Sequence, residues 1–241
     1  MTPGEDGASI EQARSDPHGL PRQRRGTTPQ GIGRYPDFDV LAQAGHWDET
    51  TRRVVLDRVE NVPPLRFFST EEARTLTAFC DVVTAQDVEP KIPVLAYVDE
   101  KLHGGGRDGW QYHDLPDDDE VWRRVARGLD EEAARQGFGS FADAPVEAQV
   151  GIVHCFSKAQ LHGGVWATLN LGRAWSVVMR YVVQAFYSHP WAWNEIGFGG
   201  PAYPRGYGAF GSPHLGEEEG WETDEAVHID PVRDVSRRGL D

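Results

Sequence analysis

Helical periodicity, marked by recognisable helix starts, is the feature that most constrains this fold. Ser69-Thr70-Glu71-Glu72 has the Ser-x-x-Glu form of a capping box, in which the serine and the second glutamate satisfy amide groups left open at a helix start. Apolar residues at helical spacing then share one face: Leu76, Phe79, Cys80 and Val83. The pattern predicts a helix that begins near residue 70.

Four further segments have helical character. A second helix is expected to begin at Pro93, and a third to begin in the acidic run Asp117–Glu120 and to end at Gly137. A fourth should open at Pro145, and a fifth should extend roughly over Leu171–Tyr187. No alternating strand pattern of useful length occurs. The chain is therefore predicted to be all-α, an irregular helical bundle of about five to seven helices.

The composition of the two ends differs from that of the middle. Residues 1–34 mix Gly, Pro, Ser, Gln and Arg without periodicity, which is typical of a disordered arm. Residues 35–66 are expected to be an irregular lead-in, and 67–212 the helical domain. Residues 213–241 are rich in acidic groups and are predicted to be a solvated tail.

Charge and cysteine content exclude two classes of protein. The chain has 24 Lys and Arg against 38 Asp and Glu, a net charge of −14, which would repel a phosphate backbone. A nucleic-acid partner is therefore not expected. Cys80 and Cys155 lie in apolar helix-like stretches, where a free thiol usually behaves as a small buried hydrophobe. A disulfide framework is excluded, and a single bridge between the two is left open.

The N-terminal region lacks the pattern of an export signal, in which an apolar run directly follows basic residues. The basic Arg22-Gln23-Arg24-Arg25 is followed by the polar, Gly- and Pro-containing Gly26–Gly31. No stretch approaches the roughly 18 apolar residues of a membrane span. We expect no export device and no membrane segment in this sequence. The expected location is the cytoplasm, or the periplasm or cell exterior only if a partner bearing a signal carries the chain there.

An unusual segment follows the last predicted helix. The ring-rich segment, Phe186–Phe210, reads FYSHPWAWNEIGFGGPAYPRGYGAF and combines Gly, Pro and many aromatic residues. Flexible linkers lack large aromatic residues, so an ordered aromatic loop is predicted. Three interpretations are open: a loop that folds back and caps its own bundle, a surface for a protein partner, and a platform on which Trp rings stack on sugars.

Elements of this segment resemble the C-terminal signature of the gluconate 2-dehydrogenase subunit 3 family. These elements are Phe186-Tyr187-Ser188-His189-Pro190-Trp191, Trp193-Asn194 and Ile196-Gly197-Phe198-Gly199-Gly200. Earlier segments resemble the opening helix of that family and its continuation: Phe67–Ala73, Cys80–Val83, Ile92-Pro93 and Tyr97–Asp99. The resemblance covers about Phe67 to Tyr207. The chain departs from the family pattern in its polar N-terminal arm, where many members have a twin-arginine signal, and in Trp193, where a Gly often precedes the Asn.

The resemblance implies a non-catalytic accessory subunit that binds a large glucose–methanol–choline type flavoprotein, often beside a multihaem cytochrome c, and helps it to be stabilised, matured or exported. FAD and the oxidation of a sugar or sugar acid would belong to that partner, with no catalytic, cofactor or metal site in this chain. The sequence has neither a strand-to-helix Gly-x-Gly-x-x-Gly nor a Cys-x-x-Cys-His haem motif. The residues expected to bind the partner are Trp191, Trp193, Asn194, Phe198, Tyr203 and Tyr207.

A stand-alone metal-assisted enzyme is the alternative. It would use His154, His162 and the acidic loop near Asp114, with Cys155 and His189 as further candidates. However, His154 and His162 are eight positions apart, whereas two ligands on one helix face usually stand three or four apart. Cys155 and His154 are sequence neighbours rather than a pair that shares a helix face, which disfavours a nucleophile and base.

Overall fold

The fold is assembled from α-helices. The computed structural model describes residues 40–87, 89–106, 111–196 and 198–201. Its α-helices are α1 Glu49–Glu60, α2 Thr70–Val83, α3 Val94–His103, α4 Asp118–Arg135, α5 Val146–Ser157, α6 Leu171–Tyr187 and α7 Pro190–Ile196. Short 3-10 helices cover Val40–His46, Phe141–Asp143 and Gly164–Thr168. The described residues contain no strand, and the predicted all-α class is confirmed.

The helix starts follow the predicted chemistry. The Ser69 hydroxyl accepts the amide N–H of Glu72 at 3.2 Å, and the Glu72 carboxylate accepts the N–H of Ser69 at 2.9 Å. Pro93 and Pro145 directly precede α3 and α5, where a missing N–H leaves no helical hydrogen bond unmade. The predicted disordered arm and acidic tail lie outside the described residues. No helix in the described ranges has the length and apolarity needed to cross a membrane.

Helix α1 forms where the sequence predicted an irregular lead-in. The Asp48 carboxylate accepts the amide N–H of Thr51 at 2.9 Å and so caps the helix. Of the residues of α1, Val55 is the one that is buried. Since a single buried position gives no repeating apolar stripe, periodicity carried little signal for this helix.

The chain divides into two units. The central unit consists of Val62–Asp87 and Pro93–Phe186, and the terminal unit of the described residues in Met1–Asn61, Val88–Ile92 and Tyr187–Asp241. Aromatic rings fill the core of the central unit. Phe79 of α2 lies edge-on to Trp122 of α4 with ring centroids 6.5 Å apart, and Phe156 of α5 meets Trp166 at 5.0 Å and Trp175 of α6 at 5.2 Å. These contacts link α2 to α4, and α5 to α6 and to the 3-10 helix Gly164–Thr168; the Phe79 and Phe156 rings, 6.4 Å apart, connect the two groups.

Asp99 fixes the chain that leads into α2. Its buried carboxylate accepts the backbone N–H groups of Arg66 at 2.7 Å, Phe67 at 3.0 Å and Phe68 at 3.0 Å. A buried carboxylate is tolerated when several donors satisfy it. Asp99 therefore joins α3 to the start of α2. This contact explains why an aspartate stands at the end of the Tyr97–Asp99 segment noted in the sequence.

Gly128 lets a tryptophan ring pack directly on α4. A Cβ placed at Gly128 would lie 2.5 Å from Cζ2 of Trp166 and 2.6 Å from its Cε2. Trp166 is buried, and Gly128 is buried in the middle of α4. The ring thus occupies the space that any other residue at position 128 would need.

We predict that Gly128→Ala destabilises the chain by about 1–3 kcal/mol, because the added methyl group forces Trp166 out of its position. Gly151→Ala in α5 is the matched control, since a Cβ there meets nothing within 4 Å. That change should stabilise by about 0.5–1 kcal/mol through helix propensity alone. Urea unfolding followed by circular dichroism measures both, and equal effects would contradict the packing role.

Candidate functional site

After the end of α6, the ring-rich segment continues as a helix rather than as a loop. Helix α7 covers Pro190–Ile196, so the loop prediction is wrong for this part of the segment. Pro190 occupies the first helical position, where its fixed φ suits a helix. The His189 ring accepts the backbone N–H of Trp191 at 3.2 Å, and the His189 carbonyl accepts that of Ala192 at 3.0 Å. A proline and a capping side chain thus start α7.

Trp193 lies in the core of the terminal unit. Its side chain is 9% exposed and belongs to an apolar cluster with Val40, Trp47 and Val55. The indole N–H donates to the backbone carbonyl of Tyr187 at 2.6 Å, which satisfies the polar edge of the ring. Trp193 is therefore held on both its apolar and its polar sides.

Asn194 joins α7 to the beginning of the described chain. Its side chain is 2% exposed, and its oxygen accepts the backbone N–H of Val40 at 2.8 Å. This bond links residues 154 positions apart. Because both groups are buried, losing the acceptor would leave a desolvated N–H without its bond.

Gly200 lies against two members of the same cluster. Its φ is +82°, and a Cβ there would lie 2.9 Å from Cζ2 of Trp47 and 3.0 Å from Cγ2 of Val40. Both the conformation and the close approach favour glycine. The glycine at position 200 is thus explained by its close approach to Trp47 and Val40.

The predicted partner-binding residues are distributed unevenly. Trp191, Trp193 and Asn194 are buried in this chain. Phe198 is 36% exposed and stands edge-on to Trp193, with ring centroids 5.5 Å apart. Tyr203 and Tyr207 lie outside the described residues. Partner binding through these six residues stays a prediction. Of the four that the structure describes, Phe198 is the one with substantial exposed surface.

Sequence reasoning missed the residues against which α7 packs. Val40, Trp47 and Val55 were assigned to a lead-in without regular structure, although they form the cluster with Trp193. The Trp47-Asp48 pair, a large apolar residue directly before a helix-capping residue, is a signal in the sequence that could have pointed to a helix with a core contact.

The candidate metal ligands are not gathered into one cluster. His154 and His162 are exposed, and the Asp114 carboxylate binds Arg173 and accepts a hydrogen bond from Asn170 at 3.0 Å. Over the described ranges, no group of three or more His, Cys, Asp or Glu side chains is placed to hold a metal ion.

Both cysteines are free thiols. Cys80 is buried in α2, and Cys155 in α5 is half-buried. Burial raises the pKa of the Cys80 thiol, which disfavours the reactive thiolate. The bridge that the sequence left open between Cys80 and Cys155 is therefore not formed in this structure.

Comparison with known protein families identifies a match. The model of a family described as gluconate 2-dehydrogenase subunit 3 matches residues 70–200, more than half of the chain. The matched range begins at α2 and ends at Gly200, which packs against Trp47. No curated protein and no solved structure matches significantly.

We predict that Asn194→Ala destabilises the terminal unit by about 1–3 kcal/mol, because the Val40 N–H loses its acceptor in a buried position. Asn61→Ala is the matched control in the same unit, since Asn61 is exposed and should change stability by less than about 0.5 kcal/mol. Hydrogen exchange of α1 and α7 measures the local opening free energy. Equal exchange rates in the two variants would contradict the structural role of Asn194.

Proposed function

The chain belongs to the gluconate 2-dehydrogenase subunit 3 family, and from this premise we propose that it is the accessory subunit of a dehydrogenase complex. Its partner in this proposal is a large FAD-dependent flavoprotein of the glucose–methanol–choline type that oxidises a sugar or sugar acid. The chain binds this flavoprotein and stabilises or matures it, and the flavin chemistry takes place in the partner. The observation that carries the proposal is the family match over residues 70–200.

The end of α7 supports a contact with another protein. Ile196 is 42% exposed and Phe198 is 36% exposed, so two large apolar side chains lie two residues apart at the surface. The backbone N–H of Phe198 donates to the carbonyl of Trp193 at 2.9 Å, which fixes the turn after the helix. Interfaces favour aromatic residues that are held in place before binding, because little conformational entropy is then lost.

Phe198 contacts a residue that is itself held in place by the terminal unit. Trp193, directly beneath Phe198 in ring contact, is fixed by its own hydrogen bond and by the apolar cluster. A rigid base of this kind lets the exposed pair keep its shape without a partner. We therefore place the partner-binding surface at Ile196 and Phe198, and call this pair the α7 edge.

Co-expression tests the proposed partnership. The chain should be produced together with the flavoprotein encoded beside it, with an affinity tag on one component only. We expect the two to co-purify, and we expect the flavoprotein to be more soluble and to retain more FAD than when it is produced alone. Absence of co-purification, together with unchanged solubility, FAD content and activity of the flavoprotein, would refute the partnership.

Charge substitution tests the place of contact. We predict that Phe198→Asp weakens binding to the flavoprotein by about tenfold or more, because a charge would be desolvated at an apolar contact. Val150→Asp is the control, since Val150 is 49% exposed in the central unit and lies outside the α7 edge. Binding is measured by titration of the purified chains, with circular dichroism to check folding.

The two variants separate location from partnership. Loss of binding in Val150→Asp with normal binding in Phe198→Asp would contradict the α7 edge while leaving the partnership intact. Equal, near-native binding by both variants would also show that the α7 edge is not the contact.

A further inference from the structure

His189 is a buried titratable group at the start of α7. It is 1% exposed, and its Nδ1 accepts the backbone N–H of Trp191 at 3.2 Å. The imidazole also stands edge-on to the indole of Trp191, with ring centroids 4.8 Å apart. Its side chain therefore caps α7 and fills space in the terminal unit at the same time.

The opposite side of the imidazole meets α1. The ring hydrogen-bonds to the backbone of Arg58, and the Arg58 guanidinium opposes a positive charge on it. Because Nδ1 accepts a hydrogen bond, the proton of the neutral ring lies on Nε2, where it is available as a donor. The neutral imidazole thus joins α1 to α7, one ring nitrogen serving each helix.

Among the described residues, the charge that acts on the His189 ring is that of Arg58, and it disfavours protonation. Arg58 acts on the ring with the same sign of charge. On α1, Asp57 and Glu60 are exposed. In the 3-10 helix Val40–His46, Val40 is buried and His46 is exposed. In the segment before α3, the exposed Glu89 carboxylate accepts the backbone N–H of Lys91 at 3.1 Å.

We propose that protonation of His189 opens the terminal unit by separating α7 from α1. An imidazolium has no lone pair to accept the Trp191 N–H, so the cap of α7 is lost. It also places a positive charge at the positive end of a helix and beside Arg58. Separation of α7 would uncover the indoles of Trp191 and Trp193, which are buried in the closed form.

The direction of the pH dependence follows from the surroundings of the ring. Burial lowers the pKa of His189 from 6.5 to about 4. The hydrogen bond to the Arg58 backbone partly opposes this effect, and the Arg58 charge adds a smaller lowering effect. A lowered pKa means that the neutral ring contributes its full stability above pH 6.5 and loses it as the pH falls toward 4. Opening should become easier by about tenfold for each pH unit in that window.

The opening has a consequence for the complex. Trp193 supports Phe198 of the α7 edge through ring contact, so separation of α7 would remove that support and weaken binding of a flavoprotein under acidic conditions. This consequence rests on the proposed function. The opening itself is a property of the chain alone, and it is tested without a partner.

Hydrogen exchange of the full chain between pH 7.5 and 5.0, corrected for intrinsic exchange rates, tests the opening. We expect protection of α7 and α1 to fall about tenfold per pH unit below 6.5, while that of α4 in the central unit stays constant. In His189→Gln this pH dependence should vanish, because an amide can accept and donate without titrating. His46→Gln, which changes an exposed histidine of the same unit, should behave as the unmodified chain.

Two results would overturn the proposal. The first is constant protection of α7 in the unmodified chain from pH 7.5 to 5.0, and the second is an unchanged pH dependence in a folded His189→Gln variant. If His189→Gln does not form α7 at any pH, the NMR titration of the His189 ring in the unmodified chain decides. A pKa well below 6.5 supports the proposal, and one at or above 6.5 refutes it.

Discussion

The terminal unit depends on the burial of two neighbouring side chains, Trp193 and Asn194. The indole supplies apolar contact with Trp47 and Val55, and the amide oxygen accepts the Val40 N–H inside the same cluster. Neither contact is local in sequence, since the hydrogen bond joins residues 154 positions apart. Such a pair fixes the course of the chain because an apolar cluster tolerates a buried amide only when its hydrogen bond is made.

The central unit is organised by a comparable combination of a buried polar group and close packing. Asp99 satisfies three backbone N–H groups ahead of α2, and the aromatic core then fixes the helices against one another. The packing is close at Gly128 of α4, where the Trp166 ring occupies the space that a side chain at position 128 would need.

The sequence predicted helices well where a start signal preceded a broad apolar face. Ser69 and Glu72 marked α2, and α6 was located at Leu171–Tyr187 from its period. Helix α1 was not predicted, because Val55 is its one buried residue and the sequence therefore has no apolar stripe there. Helix α7 was not predicted, because the Gly, Pro and aromatic content of the ring-rich segment suggested a loop. Its capping side chain is a histidine, which is not among the residue types that usually mark a helix start.

The site was predicted less completely than the fold, for a physical reason. Aromatic residues followed by glycine identified the important segment, but composition does not tell which rings face inward. That choice depends on Val40, Trp47 and Val55, which lie far away in the sequence. The structure divides the segment into a buried part, Trp191–Asn194, and an exposed edge at Ile196 and Phe198.

The central claim is that this edge binds the flavoprotein in the proposed complex. Its most direct test is hydrogen exchange of the chain at pH 7.5, free and bound to the purified flavoprotein. We expect the peptides that cover residues 190–201 to become more protected in the complex, with little change in α5. Protection gained in α5 or elsewhere in the central unit, with residues 190–201 unchanged, would contradict the claim.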